Sequence, residues 1–183
     1  PFICVGGIEK ETKMLKFDEE KQLASYKEGL ALRGQIEECA DKIWAEGFDG
    51  IYFLGIGGTY ASSMQVVTHM TGRSTIPAYV ENASEYLTTG NRRLTDRSLV
   101  VFSSVTGSTE EMIEAVDVLK KKGVRLLAFI DFEGTELAKQ ADYLIVSPKN
   151  EQLKFFLFAN RLMYNHGEFP DYDRYNAEMD AHL

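Results

Sequence analysis

The sequence predicts an α/β fold: a three-layer αβα sandwich around a five-stranded parallel sheet. Three observations carry this reading. Five short apolar runs recur along the 183 residues. None shows the period-two alternation of a half-exposed strand, so each reads as a strand buried on both faces. Helical stretches separate them, and alternating strands and helices give a parallel sheet with helices on both sides.

The elements follow in order. Residues 1–17 carry no pattern and read as an extension wrapping on the surface. From Asp18 to Glu46, Leu23, Tyr26, Leu30, Ile36, Ala40 and Ile43 recur at three- and four-residue steps, with a looser step from Leu30 to Ile36. This predicts one long helix, which Gly47 ends. IYFLG (51–55) is the first strand, and IGGTYASS leads from it into a helix reaching about Met70. AYVE (78–81) is the second strand and SLVVFSS (98–104) the third, followed by a helix from about Ser108 to Lys122. The run Lys120-Lys121-Lys122 suits the negative end of that helix dipole. RLLAFI (125–130), a short helix in GTELAKQA, YLIV (143–146) and an apolar helix in QLKFFLFANRLMY (152–164) complete the pattern. The expected division is an extension over 1–17, one domain over 18–166 and a C-terminal tail or helix over 167–183.

Composition narrows the function. The chain is 44% hydrophobic and 26% charged, the balance of a globular protein, and its net charge of −8 argues against nucleic acid as a partner. No apolar run approaches 18 residues, so no membrane span is expected. Cys4 and Cys39 stand without a CxxC partner, which reads as a reduced cytoplasmic protein, with a single disulfide as the alternative. No cluster of His, Cys and Asp has metal-ligand spacing, so neither metal nor cofactor is expected.

The chemistry concentrates in two loops. In open α/β sheets ligands bind beyond the carboxyl ends of the strands, where the strand order reverses. If the order is 2-1-3-4-5, strands 1 and 3 meet there, and the loops leaving them are GIGGT (55–59) and SSVTGST (103–109). Glycines let the backbone approach a ligand, hydroxyls donate hydrogen bonds, and helix N-termini offer unpaired N–H groups. Together they suit an anion, most naturally a phosphate. Neither loop holds Lys or Arg. Three other readings compete. Thr109 alone, or a capping box from Ser108 to Glu111, would account for one or two hydroxyls but not the rest. A dinucleotide fingerprint begins at Gly55-x-Gly57 with Glu81 as ribose acid, but its third glycine falls on Tyr60. No Walker loop occurs.

GIGGTYAS (55–62), NASEY (82–86) and SSVTGSTEE (103–111) together resemble the sugar isomerase (SIS) domain family. The last segment is similar to that family's Ser-x-Ser-Gly-x-Thr phosphate loop, with Thr106 in place of the second Ser. The resemblance runs from about Asp18 to Val146 and implies a phosphosugar-binding αβα domain. It places Gly57, Gly58, Thr59, Ser104, Val105, Thr106, Gly107 and Thr109 at the phosphate, Val105 and Gly58 through their backbones. Glu85 falls where the family often has a Glu near the sugar or the partner subunit. The chain looks most like the first SIS domain of fructosamine-6-phosphate deglycases and of the glucosamine-6-phosphate synthase isomerase module. The short SPKNE connection (147–151) and the tail PDYDRY (170–175) favour the deglycase type.

Those enzymes carry two SIS domains per chain, and this sequence holds one. His69, His166 and His182 read as packed or surface residues. Glu85 and Glu151 are the candidates for shuttling a proton between C1 and C2 of an open-chain sugar. The expected function is therefore the phosphosugar-binding domain of an isomerase or deglycase, with little turnover by this chain alone. The alternative is a sugar-phosphate sensor, which an N-terminal helix-turn-helix would support; the long acidic helix speaks against it. Leu153 to Phe158 is apolar on nearly every side. That predicts an aromatic face from Phe155, Phe156 and Phe158 turned toward a second copy or a second SIS domain, with cover from within the chain by the N-terminal helix, through Leu23, Tyr26, Leu30 and Trp44, as the alternative.

Overall fold

A computed structural model describes residues 18–182. The expectation for residues 1–17 lies outside the described residues. Five strands form one sheet in the order β2-β1-β3-β4-β5: β1 (Gly50–Gly55), β2 (Ala78–Asn82), β3 (Ser98–Ser104), β4 (Arg125–Ile130) and β5 (Tyr143–Val146). Every neighbouring pair is parallel, with Ile51 opposite Ala78 and Leu99, and Leu99 opposite Arg125.

Successive residues of a strand point to opposite faces, and the sequence has apolar side chains for both. Phe53, Val101 and Phe129 enter one core; Leu54, Phe102 and Ile130 enter the other. The first core is closed by α2 (Arg33–Glu46), α3 (Gly58–Thr71) and α7 (Glu151–Asn165). The second is closed by α4 (Ala83–Thr89), α5 (Glu110–Lys121) and α6 (Glu136–Gln140). The result is the expected three-layer sandwich.

Three elements differ from expectation. The single helix over 18–46 is two: α1 (Glu19–Ala31), capped by Asp18 Oδ1 accepting from Lys21 N at 3.0 Å, and α2, separated at Leu32. The cause is the six-residue step from Leu30 to Ile36. At about 100° per residue it puts Ile36 roughly 120° off the stripe. A break lets α2 turn Ile36, Ala40 and Ile43 fully into the core. α4 is a helix the sequence reading missed. Asn82 caps it, accepting from Ser84 N at 3.0 Å and Glu85 N at 3.3 Å.

The third difference overturns an expectation. Phe155 and Phe158 do not face outward. They are three residues apart, share one helical face, and are completely buried against the sheet. Their rings lie 5.8 and 6.3 Å from Phe129, edge to face. Phe156 alone is half-buried, 4.9 Å from the His69 ring. The outer side of α7 is covered from within the chain by α1, α2 and α8 (Tyr172–Ala181). Charged pairs fasten that cover. Arg161 grips Asp41 through Nε and Nη2 at 2.7 and 2.8 Å, Tyr172 donates to Glu37 at 2.7 Å, and Arg33 pairs with Asp180. Among the described residues, no helix is long and apolar enough to cross a membrane.

Candidate functional site

The β1–α3 and β3–α5 loops lie side by side at the carboxyl edge, because β1 and β3 are sheet neighbours. Between them is a cleft of about 240 Å³. Of the residues expected at a phosphate, Thr59, Ser104, Val105, Thr106 and Thr109 line it. Ser103, one of the hydroxyls of the 103–109 loop, lines it too, as do Ile56 and Met112, which were not singled out in the sequence. Met112 had a legible signal: it stands three residues after Thr109, on the same face of α5.

Gly57, Gly58 and Gly107 shape the loops rather than line the cleft. Gly107 has φ +63°, and a Cβ there would overlap Thr135 Cβ and Oγ1 and stand 2.6 Å from its Cγ2. Both its backbone angle and its contact with the β4–α6 loop require glycine. Its N–H donates to Ser104 Oγ at 2.9 Å, so that hydroxyl holds the loop closed, and Thr106 Oγ1 accepts from Ser108 N at 3.3 Å. Gly57, at φ 58° and ψ −120°, precedes α3 as its N-cap with no side-chain cap bond.

The hydroxyl at Thr109 is different. Thr109 is the N-cap of α5, yet its side chain makes no cap bond, and the box from Ser108 to Glu111 is not formed. The first turn of α5 therefore opens toward the cleft without a side-chain cap. Unpaired N–H groups and the positive end of the helix dipole are the physical ingredients of an anion site.

A carboxylate stands at the other side. Thr59 Oγ1 donates to Glu151 Oε2 at 2.8 Å, tying the first loop to the start of α7. Asp131, at the end of β4, and Lys154, one turn into α7, are buried beneath this corner with Nζ and Oδ1 3.9 Å apart. Burial pushes the Lys154 ammonium below the usual lysine range, while Asp131 and Glu151 pull it back. Glu85 is exposed on α4 and does not line the cleft. Glu81 accepts a bond from Asn91 Nδ2 at 2.8 Å.

The histidines lie elsewhere. His69 Nε2 meets Asn160 Oδ1 at 2.8 Å, and burial lowers its pKa. His166 contacts Thr75 at 3.0 Å, and His182 follows α8. Cys39 is half-buried, its thiol pushed up to about 11 by burial, so it is no ready nucleophile. Among the described residues, no group of three or more His, Cys, Asp and Glu could hold a metal ion.

The sequence profile of the SIS domain family matches residues 49–163, which run from the start of β1 through most of α7. The chain belongs to the SIS domain family. This SIS domain is 26% identical over 111 residues to a glutamine–fructose-6-phosphate aminotransferase (isomerizing) of Fusobacterium nucleatum, covering 61% of the chain and 18% of that enzyme. It is 24% identical to a phosphoheptose isomerase of Thermodesulfovibrio yellowstonii, over 79% of the chain and 83% of that protein. Among solved structures its fold is similar to the Vibrio vulnificus NanR protein complexed with ManNAc-6P. The TM-score is 0.64 at 15% identity, covering 87% of this chain and 66% of that one. The SIS domain thus spans under a fifth of the aminotransferase's length and most of the phosphoheptose isomerase's.

Proposed function

We propose that this SIS domain binds a phosphorylated sugar or amino sugar in the cleft between the β1–α3 and β3–α5 loops. The observation that carries the reading is the uncapped N-terminus of α5, with Thr109 beside it and Ser103, Ser104 and Thr106 lining the same cleft. Dipoles and hydroxyls hold the phosphate, with no arginine or lysine among the cleft-lining residues. That suits a ligand released in every turnover. The Thr59 hydroxyl has one proton, which Glu151 takes in this structure. A phosphate at Thr59 would compete for it and so couple ligand binding to the carboxylate.

The reaction class is a proton transfer between C1 and C2 of an open-chain sugar phosphate, by an isomerase or a fructosamine-6-phosphate deglycase. Glu151, held at the cleft by Thr59, is the base in this reading; exposed Glu85 stands toward a partner. A second SIS unit, from another copy or another domain, completes the site, and the setting is cytoplasmic. Support comes from the relatives, which include two isomerizing enzymes. The second reading is a sugar-phosphate sensor without turnover, favoured by the fold likeness to NanR.

Calorimetric titration with fructose 6-phosphate and with fructose tests the site. Binding of the phosphorylated sugar alone is expected, and Thr109→Ala removes a hydrogen bond to a charged group, worth about 1.5–3 kcal/mol, or roughly a tenfold to hundredfold loss of affinity. Equal binding of both sugars, or an unchanged affinity in Thr109→Ala, refutes it. Turnover assays with hexose 6-phosphates and fructosamine 6-phosphates then separate enzyme from sensor.

A further inference from the structure

The corner between β5 and α7 is strained in a way the cleft alone does not explain. Lys149 and Asn150 both lie in the left-handed region, with φ of 63° and 51°. Two consecutive non-glycine residues there persist only when their surroundings hold them. Here the holding groups are identifiable. Asp131 Oδ2 accepts from Lys149 N at 3.1 Å. Asn150 Nδ2 donates to Ser25 Oγ on α1 at 2.9 Å. Lys154 Nζ donates to the Ser147 carbonyl at 2.8 Å and stands 3.9 Å from Asp131 Oδ1.

Lys154 is wholly buried and the Asp131 side chain nearly so, at 0% and 7% exposure. A buried ion pair is a poor source of stability, because removing both charges from water offsets their attraction, and an apolar residue of similar volume often serves the fold as well or better. The site of this pair is what gives it meaning. Its two charges reach both ends of the strained turn, the Ser147 carbonyl before it and the Lys149 N–H within it. The residue that the turn delivers is Glu151, whose carboxylate meets Thr59 one helical turn above Lys154.

We propose that Lys154 and Asp131 are positioning residues: their buried pair fixes the Ser147–Asn150 turn and so sets Glu151 against Thr59 at the cleft. The inference rests on the reading of that cleft as the phosphosugar site. Neither residue touches the ligand, and each acts through the placement of Glu151.

The test needs no ligand in its first arm. The Glu151 side-chain carboxyl is observed by carbon NMR at one neutral pH, in the wild type and in Thr59→Val. A hydrogen bond to the carboxylate polarises it, so loss of the Thr59 donor moves the carboxyl signal in the wild-type background. In a Lys154→Met background the carboxylate has left Thr59, and Thr59→Val shifts the signal no further. The direct effect of losing the Lys154 charge is common to both members of that pair and cancels from the comparison. The double variant Lys154→Met/Asp131→Asn, which leaves no unpaired buried charge, serves if Lys154→Met does not fold, and it gives the same null shift. An undiminished Thr59→Val shift in these backgrounds overturns the proposal. In the second arm, fructose 6-phosphate affinity falls about tenfold in the folded variant. Failure of the wild type to bind any sugar phosphate removes the phosphosugar reading, while the NMR comparison still decides whether Lys154 positions Glu151.

Discussion

Replacing Gly107 by alanine separates two requirements that meet at one residue. The first is backbone conformation. At φ +63° a Cβ crowds the following carbonyl, at about 1–2 kcal/mol. The second is contact. The new methyl would stand 2.6 Å from Thr135 Cγ2, where ordinary contacts are 3.4–4 Å, and it would overlap Cβ and Oγ1 as well. Thr135 cannot swing aside freely, because its Oγ1 caps α6 by accepting from Ala138 N at 3.2 Å. Overpacking of this kind costs about 1–3 kcal/mol. The sum is about 2–5 kcal/mol, and for a chain of this size each kcal/mol lowers the melting temperature by about 2–4 °C. Gly134→Ala is the control. Gly134 also has positive φ, at +74°, but a Cβ there meets nothing within 4 Å, so only the conformational part remains. Thermal unfolding followed by circular dichroism should place Gly107→Ala well below Gly134→Ala, with weakened sugar-phosphate binding as well. Equal melting temperatures for the two variants would refute the contact argument.

Further outcomes are expected elsewhere. Phe155→Ala should destabilise by about 3–5 kcal/mol in chemical denaturation, as large core truncations do, whereas Phe156→Ala should cost clearly less because that ring is only half-buried. Tyr172→Phe removes the donor to Glu37 and should cost about 1 kcal/mol, with faster hydrogen exchange in α8 than elsewhere. Acid should weaken the fold. The carboxyls of Asp41 and Glu46 are held below their usual range by bonds from Arg161 and Tyr143. A depressed folded pKa gives stability that is present above the ordinary carboxylate range and lost as pH falls through the folded values, so melting temperature should drop below about pH 4. Asp41→Asn should flatten that drop. Sedimentation at micromolar concentration should give a mass near twice 20.7 kDa if a second copy completes the site; a monomer that still binds and turns over sugar phosphate would exclude that role for a partner.

The strands were legible because a doubly covered parallel strand carries apolar side chains on both faces and shows no alternation, as β1 and the middles of β3 and β4 do; the edge strands β2 and β5 are only partly covered, so the expected burial on both faces does not hold there. The order 2-1-3-4-5 was an assumption, and the observed sheet has it. Helices were harder wherever burial did not impose a stripe. α4 has seven residues with two buried, Ala83 and Tyr86, too few to show a period. Its signal was local instead: Asn82 with Glu85 three residues on. The cleft-lining hydroxyls could be named from sequence because their density had no structural use. Lys154 could not. Within LKFFLF it reads as the one solvated position, and its burial depends on Asp131 and Ser147, which reach it only through the order of β4 and β5. The orientation of Phe155 and Phe158 was misjudged for a related reason: an all-apolar run gives no phase, so it does not say which side meets the sheet.

The sheet order also bears on how the cleft comes into being. Ile51 pairs with Leu99, 48 positions later in the chain, and the intervening residues build β2 at the sheet's outer margin. The β1–α3–β2 unit has its own sequence-local contacts, but the two loops of the cleft stay apart until the chain closes that long connection. Such closures are slow relative to local pairing. Ligand affinity acquired during refolding would therefore time the joining of the domain's two halves, and a trapped sugar phosphate should slow their separation more than it slows the fraying of either edge.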